Sequence, residues 1–214
     1  MSRRPGAVHP ARIVLTSSLG LASMLAAACA AQPGAPAEIQ PPPAFVTRQA
    51  WGARPPTTAM KPHTPTRITI HHTATRQDTT RSIEAKMRAL QEFSQTEGTL
   101  AGGGVHHAWP DVPYHYYIDV RGRIAEGRES MFAGDTNTTY DPTGHLLIVL
   151  EGNFEAEQPT PAQLRALNAL LLWAEDRWHI PPREIYGHKD FASTACPGAN
   201  LYRLLPQLRE GVGR

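Results

Sequence analysis

The sequence predicts an α/β domain, a sheet with helices laid against it, on the strength of three observations. Arg67–His72 (RITIHH) is β-branched with alternation, which reads as a strand. His145–Glu151 (HLLIVLE) is almost continuously apolar, as a central strand covered on both faces has to be. Between and after these runs, apolar residues recur at helical spacing. Ile83, Met87, Leu90 and Ser94 fall on one face within 79–95, and Leu164, Leu167, Leu171, Ala174 and Trp178 form a second stripe. Strands interleaved with helices give the α/β class.

Taken in order, the first thirty residues hold Arg3, Arg4 and Arg12 and no acid, then Ile13–Leu15 and Leu19–Leu25, then small residues up to Cys29. A basic start, an apolar core and a small-residue end are the layout of an export signal. The apolar part is shorter than the roughly 20 residues that a membrane-spanning helix needs. These residues also explain the charge. The chain carries +2 overall, and removing the three arginines leaves the remainder near −1, too mild a balance for a nucleic-acid binder.

The stretch from Gln32 to Phe45 (QPGAPAEIQPPPAF) is proline-rich, and proline removes ladder donors and favours extended geometry, so 31–44 reads as a linker. The domain is expected over 45–208, with 209–214 as a tail. Within it, Gly102–Gly104 breaks the chain, and Tyr114–Val120 and Arg123–Glu126 form a hairpin across Arg121–Gly122. Thr160–Gln163 has the capping-box pattern with proline at the first helical position, and Pro181–Pro182 stops that helix. Asn200–Leu208 is predicted as a short final helix.

Two cysteines exclude a disulfide-dense scaffold and a four-cysteine zinc site, whereas ten histidines point to imidazole chemistry. His71 ends the first strand, His188 follows another short strand in Tyr186–Asp190, and Cys196 sits in Thr194–Gly198. Two imidazoles and a thiolate are three zinc donors, and three protein donors leave a fourth position open, as hydrolytic zinc requires. His72 is expected to face away from His71, because strand side chains alternate. His63, His145 and His179 have no motif around them and read as exposed or capping histidines. Arg128 reads as a ligand contact or a partly exposed structural arginine, and His106 and His107 as groove or solvated loop residues.

Seven stretches carry a family resemblance: Thr47–Ala53, Ile70–Thr73, Trp109–Tyr116, Glu126–Arg128, Glu151–Phe154, Gly187–Asp190, and Thr194–Gly198 continuing to Tyr202. On these the chain resembles the peptidoglycan recognition proteins and type 2 N-acetylmuramoyl-L-alanine amidases, from Thr47 to Tyr202. The resemblance implies a central mixed sheet with helices on both faces and a zinc-containing groove across one edge. It implies one Zn²⁺ held by His71, His188 and Cys196. Tyr114 is implied as the tyrosine that hydrogen-bonds the attacking water, and Thr194 stands where phage amidases carry a lysine.

Val149 is similarly placed to a glutamate of the cytosolic recycling amidases. Glu151 shares its face but is not read as a general base, and Asp135 stands where the family often has a histidine. The implied function is a zinc amidase cutting between N-acetylmuramic acid and the L-Ala of the stem peptide. A binding module without catalysis is the alternative, but non-catalytic members usually lose the cysteine, and this chain keeps Cys196 together with Tyr114, which favours the enzyme. The partners implied are peptidoglycan and muropeptides, with no nucleic acid and the protein a monomer.

The run ending at Cys29 also resembles the lipobox of bacterial lipoproteins, with Ala26 where leucine is usual. That implies export to the cell envelope with a lipid on Cys29 as the only membrane contact. Ordinary cleavage at a nearby Ala-x-Ala site, and a secreted protein, is the other reading.

Overall fold

The computed structural model describes residues 41–100 and 103–212. The export signal expected at 1–30 and most of the expected linker at 31–44 therefore lie outside the described residues. Six strands form one mixed sheet: β1 (Phe45–Val46), β2 (Arg67–His72), β5 (Tyr116–Ile118), β6 (Ile124–Glu126), β7 (His145–Leu150) and β8 (Ile185–Gly187), in spatial order β1-β6-β5-β7-β2-β8. Only the β5–β6 hairpin is antiparallel; β7 pairs in parallel with both β5 and β2, and β2 with β8. The hairpin turn is the predicted one. Gly122 takes φ +78°, and the Asp119 carboxylate accepts from the backbone N–H of Arg121 and Arg123, both at 2.9 Å. A second small hairpin joins β3 (Gly98–Thr99) to β4 (Val105–His106).

Helices cover both faces. On one face Ile68 and Ile70 of β2, Leu146, Ile148 and Leu150 of β7 and Ile185 of β8 pack under α3 (Pro161–Trp178), α4 (Ala199–Tyr202) and α5 (Leu205–Val212). On the other, Val149 and Tyr117 pack against Ile83 and Met87 of α2 (Ile83–Ser94) and Trp51 of α1 (Arg48–Trp51). All six residues of β7 are buried, which is why that strand reads as a continuous apolar run. The capping box is present at α3, where Thr160 accepts from Gln163 N and the Gln163 side chain reaches back to Thr160 N.

The Thr47–Ala53 stretch is a structural device. Thr47 caps α1, Gly52 closes it in the left-handed region at φ +75°, and Trp51 is fully buried with Nε1 donating to the Glu126 carbonyl at 2.7 Å.

The chain's end differs from expectation. Two helices, α4 and α5, replace the single predicted one, broken by a turn at Arg203–Leu204. The helix also continues past Leu208 to Val212, where the expectation was a tail. Arg209 fixes this continuation by donating to the Ile185 carbonyl at the end strand β8. Among the described residues no helix is long and apolar enough to cross a membrane.

Candidate metal centre

The register of two neighbouring parallel strands builds the site. Ile70 of β2 lies opposite Gly187 of β8, so the next residues, His71 and His188, emerge side by side at the carboxyl ends of the strands. Their rings stand 4.6 Å apart. Clefts outside the carboxyl ends of parallel strands are where open α/β sheets bind ligands. Pleating then sorts the consecutive histidines. His71 shares its face with Val149, its partner in register, whereas His72 turns to the opposite face and contacts the Phe154 ring. His72 Nδ1 accepts from Phe154 N at 3.2 Å, so its role is to hold the Gly152–Phe154 turn.

Cys196 is delivered by the loop after His188. The Cys196 carbonyl accepts from Lys189 N at 2.9 Å, and the sulfur accepts from His72 N at 3.4 Å. Gly187 lets this loop approach: a Cβ there would lie 2.8 Å from the Tyr202 ring and 3.0 Å from Pro197 Cδ. Asp190 steadies the same corner by accepting from Gly187 N at 2.8 Å and from the Tyr202 hydroxyl.

His71, His188 and Cys196 bring one donor atom each to within 4.8 Å of one another. The Sγ–Nδ1 separation between Cys196 and His71 is 3.6 Å. Zinc–sulfur and zinc–nitrogen bonds of about 2.3 and 2.0–2.1 Å meeting at a tetrahedral angle give an edge of about 3.5 Å. The donor set and its spacing therefore fit zinc. His71 Nε2 is buried without a hydrogen-bond partner.

Burial and the neighbouring His188 hold the His71 pKa well below its ordinary value, and burial takes His188 down to about 4. Both imidazoles are thus neutral, the form that binds metal. Burial pushes the Cys196 thiol up to about 12, so in the metal-free protein it keeps its proton and metal binding displaces it.

A cavity of about 500 Å³ opens over this trio, with Tyr114, Thr194, Trp109 and Leu100 among its walls. The Tyr114 ring lies 5.2 Å from that of His71. Burial raises its hydroxyl pKa, with the Cys196 sulfur as a second cause, so the phenol remains a neutral donor. Thr194 Oγ1 accepts from Cys196 N at 3.2 Å, which leaves its proton to be donated.

Several other residues have a structural place. Arg128 is a structural arginine that is buried rather than partly exposed, with its guanidinium donating to the carbonyls of Val112, Ala133 and Asp111 and pairing with Asp135. Asp135 lines the cavity from that anchor. Glu151 is buried against Lys86 at 2.8 Å. His106 is also buried, stacked on Phe93 with its ring edge-on to Trp109, rather than in the groove or in solvent; His107 is exposed. His145 is buried and bonded to Thr69 Oγ1 at 2.8 Å, while His63 bridges the Ser130 carbonyl and Gly144 N. His179 caps α3 in the left-handed region. Sequence reasoning missed Thr138, which hydrogen-bonds His188, and Tyr140, whose ring lies 5.2 Å from it. Neither carries a sequence signal, because both reach the site from an irregular loop.

Fold and site together define a mixed α/β sheet carrying a His-His-Cys cluster able to hold a metal ion, and the comparisons give the family. The chain belongs to the N-acetylmuramoyl-L-alanine amidase family, whose model matches residues 61–199. It is 34% identical over 173 residues to peptidoglycan-recognition protein SD of Drosophila simulans, covering 76% of this chain and 84% of that one. Among solved structures, it resembles the endolysin N-acetylmuramoyl-L-alanine amidase LysCS of Clostridium intestinale (TM-score 0.62, 25% identity, 79% of this chain and 97% of the other). It also resembles peptidoglycan recognition protein LE in complex with tracheal cytotoxin, a monomeric diaminopimelic acid-type peptidoglycan (TM-score 0.64, 28% identity, 76% and 92%).

Proposed function

We propose that the protein is a zinc-dependent N-acetylmuramoyl-L-alanine amidase that hydrolyses the amide between N-acetylmuramic acid and the L-Ala of the peptidoglycan stem peptide. The observation that carries this reading is the convergence of His71, His188 and Cys196 beneath a cavity that also holds Tyr114. Two neutral imidazoles and a thiolate would hold a single Zn²⁺ at a formal charge of +1. Bound there, zinc supplies Lewis acidity that brings a water's pKa to about 7 and polarises the amide carbonyl.

The chain's own residues do the remainder. Tyr114, kept protonated, donates a hydrogen bond from its hydroxyl to the attacking water's oxygen or to the carbonyl oxygen as charge develops there. Thr194 holds the Cys196 loop through the oxygen of its hydroxyl and has the proton to offer to substrate. Leu100 and Trp109 form an apolar wall that excludes water beside the reacting amide. Export to the bacterial envelope through residues 1–30, with Cys29 either lipidated or removed by ordinary cleavage, belongs to the same reading, as does action as a monomer.

Similarity to peptidoglycan recognition proteins supports a second reading, binding of muropeptides without cleavage. Retention of Cys196 favours the enzyme. Incubating the purified protein with muropeptides and identifying products by mass tests the choice. The expected result is release of stem peptide, lost with a chelator, restored by zinc, and abolished by Cys196→Ala or His188→Ala. Full turnover in metal-free protein, or binding with no cleavage, overturns it.

A further inference from the structure

His188 has two ring nitrogens, and the structure treats them differently. Its Nε2 lies 2.9 Å from Thr138 Oγ1. Thr138 is in turn held by Thr136: the two hydroxyl oxygens are 2.8 Å apart, and Thr138 N donates to Thr136 Oγ1 at 3.1 Å. Both threonines line the cavity over the three donors, on a segment anchored at Asp135 by buried Arg128. Two rings also contact His188, that of His71 at 4.6 Å and that of Tyr140 at 5.2 Å. Ring contacts constrain the plane of an imidazole but barely distinguish it from the same ring flipped over. A hydrogen bond does distinguish the two, because a flip would set a C–H against the hydroxyl.

A threonine hydroxyl has one proton and can accept as well as donate, so the chain His188–Thr138–Thr136 has two consistent polarities. In one, Nε2–H donates to Thr138, which donates to Thr136. In the other, Thr138 donates to Nε2, and the imidazole proton sits on Nδ1. Only the first leaves a lone pair on Nδ1, and the facing His71 likewise presents Nδ1 to Cys196 at 3.6 Å. We propose that Thr138 is a positioning residue of the metal centre: its bond to Nε2 keeps the His188 ring from flipping, and it accepts the Nε2 proton in the polarity that leaves Nδ1 as the donor. This rests on the zinc reading above. It assigns a function to a residue from an irregular loop with no motif of its own.

Partners that orient a ligating imidazole typically shift metal affinity by 10–100-fold. The test uses the full chain, stripped of metal and titrated with zinc against a chromophoric chelator. Thr138→Val, which keeps the shape and loses the hydroxyl, is expected to bind zinc about tenfold more weakly. Thr138→Ser keeps the hydroxyl and is expected to stay close to wild type, as is Thr139→Val at the exposed neighbouring position. Long-range ¹H–¹⁵N correlation of the metal-free protein supplies a readout independent of zinc. The wild type is expected to show His188 with its proton on Nε2, and the valine variant a mixture of tautomers. Thr138→Val binding zinc as tightly as wild type, Thr138→Ser loosening as much as Thr138→Val, or unchanged tautomers overturns the positioning role alone. A wild-type chain that binds no zinc overturns the amidase reading with it.

Discussion

Replacing Lys86 by methionine isolates one of the strongest commitments in the fold. Lys86 and Glu151 are 5% and 2% exposed, and their charged groups meet at 2.8 Å. Glu151 is otherwise fully engaged: Oε1 accepts from Asp78 N at 3.0 Å, Oε2 from Val120 N at 3.0 Å, and its carbonyl from Gln163 Nε2 at 2.7 Å. One residue thus ties together α2, the β5–β6 turn, the end of β7 and the start of α3. Lys86→Met keeps the aliphatic bulk but leaves a buried anion without its cation, a change that costs about 3–5 kcal/mol. At roughly 2–4 °C per kcal/mol for a domain of this size, the melting temperature should fall by about 6–20 °C.

Thermal melts at pH 7, with zinc affinity measured well below the melting temperature, provide the assay. Zinc affinity should be unchanged, because neither residue touches the donor trio. A loss under 1 kcal/mol would refute the argument that this pair is buried and irreplaceable. A lost zinc site in a folded variant would refute the assignment of Glu151 as structural.

The remaining predictions concern the site and its frame. Tyr114→Phe should leave zinc affinity intact while lowering turnover by roughly 10²–10³-fold, the usual cost of removing one donor to developing charge; unchanged turnover would remove Tyr114 from the chemistry. Gly127→Ala should act on the same residue at a distance, because its Cβ would fall 2.1 Å from the Tyr114 carbonyl oxygen. A displacement of about 1 Å costs on the order of 10²-fold, seen in turnover with zinc still bound.

Acid should weaken the fold through His115, which burial holds down to about 3 against an ordinary 6.5. Its Nδ1 accepts from Leu147 N and its Nε2 donates to the Phe132 carbonyl, so only the neutral ring fits. The unfolded chain takes up the proton first, so this stability is complete above pH 6.5 and is lost as pH falls through about 3. Urea midpoints that stay flat between pH 7 and pH 4 would contradict this.

Much of the fold is local enough to be written in the chain. The buried β7 run, the Thr160 capping box and the Asp119–Gly122 turn are set by neighbours a few residues apart, and each appears as predicted. The final helix shows the limit, since its extension to Val212 depends on Arg209 reaching the Ile185 carbonyl, 24 residues away in sequence.

The site divides in the same way. Sequence by itself determined the donor types: two imidazoles at strand ends and a thiolate in a turn, embedded in motifs of one family. It also determined that His71 and His72 part company, because pleating alternates. What it left open was decided in three dimensions. The β2–β8 register sets His71 beside His188, and the closeness of Gly187 to Pro197 and Tyr202 lets Cys196 come in. A loop arriving from between β6 and β7 then supplies Thr138 to choose between the nitrogens of His188. Burial likewise makes Arg128, Glu151, His106 and His145 part of the framework. Residue chemistry is carried by the chain, but charge state, tautomer and access are properties of the surroundings, and those exist only once distant segments have packed.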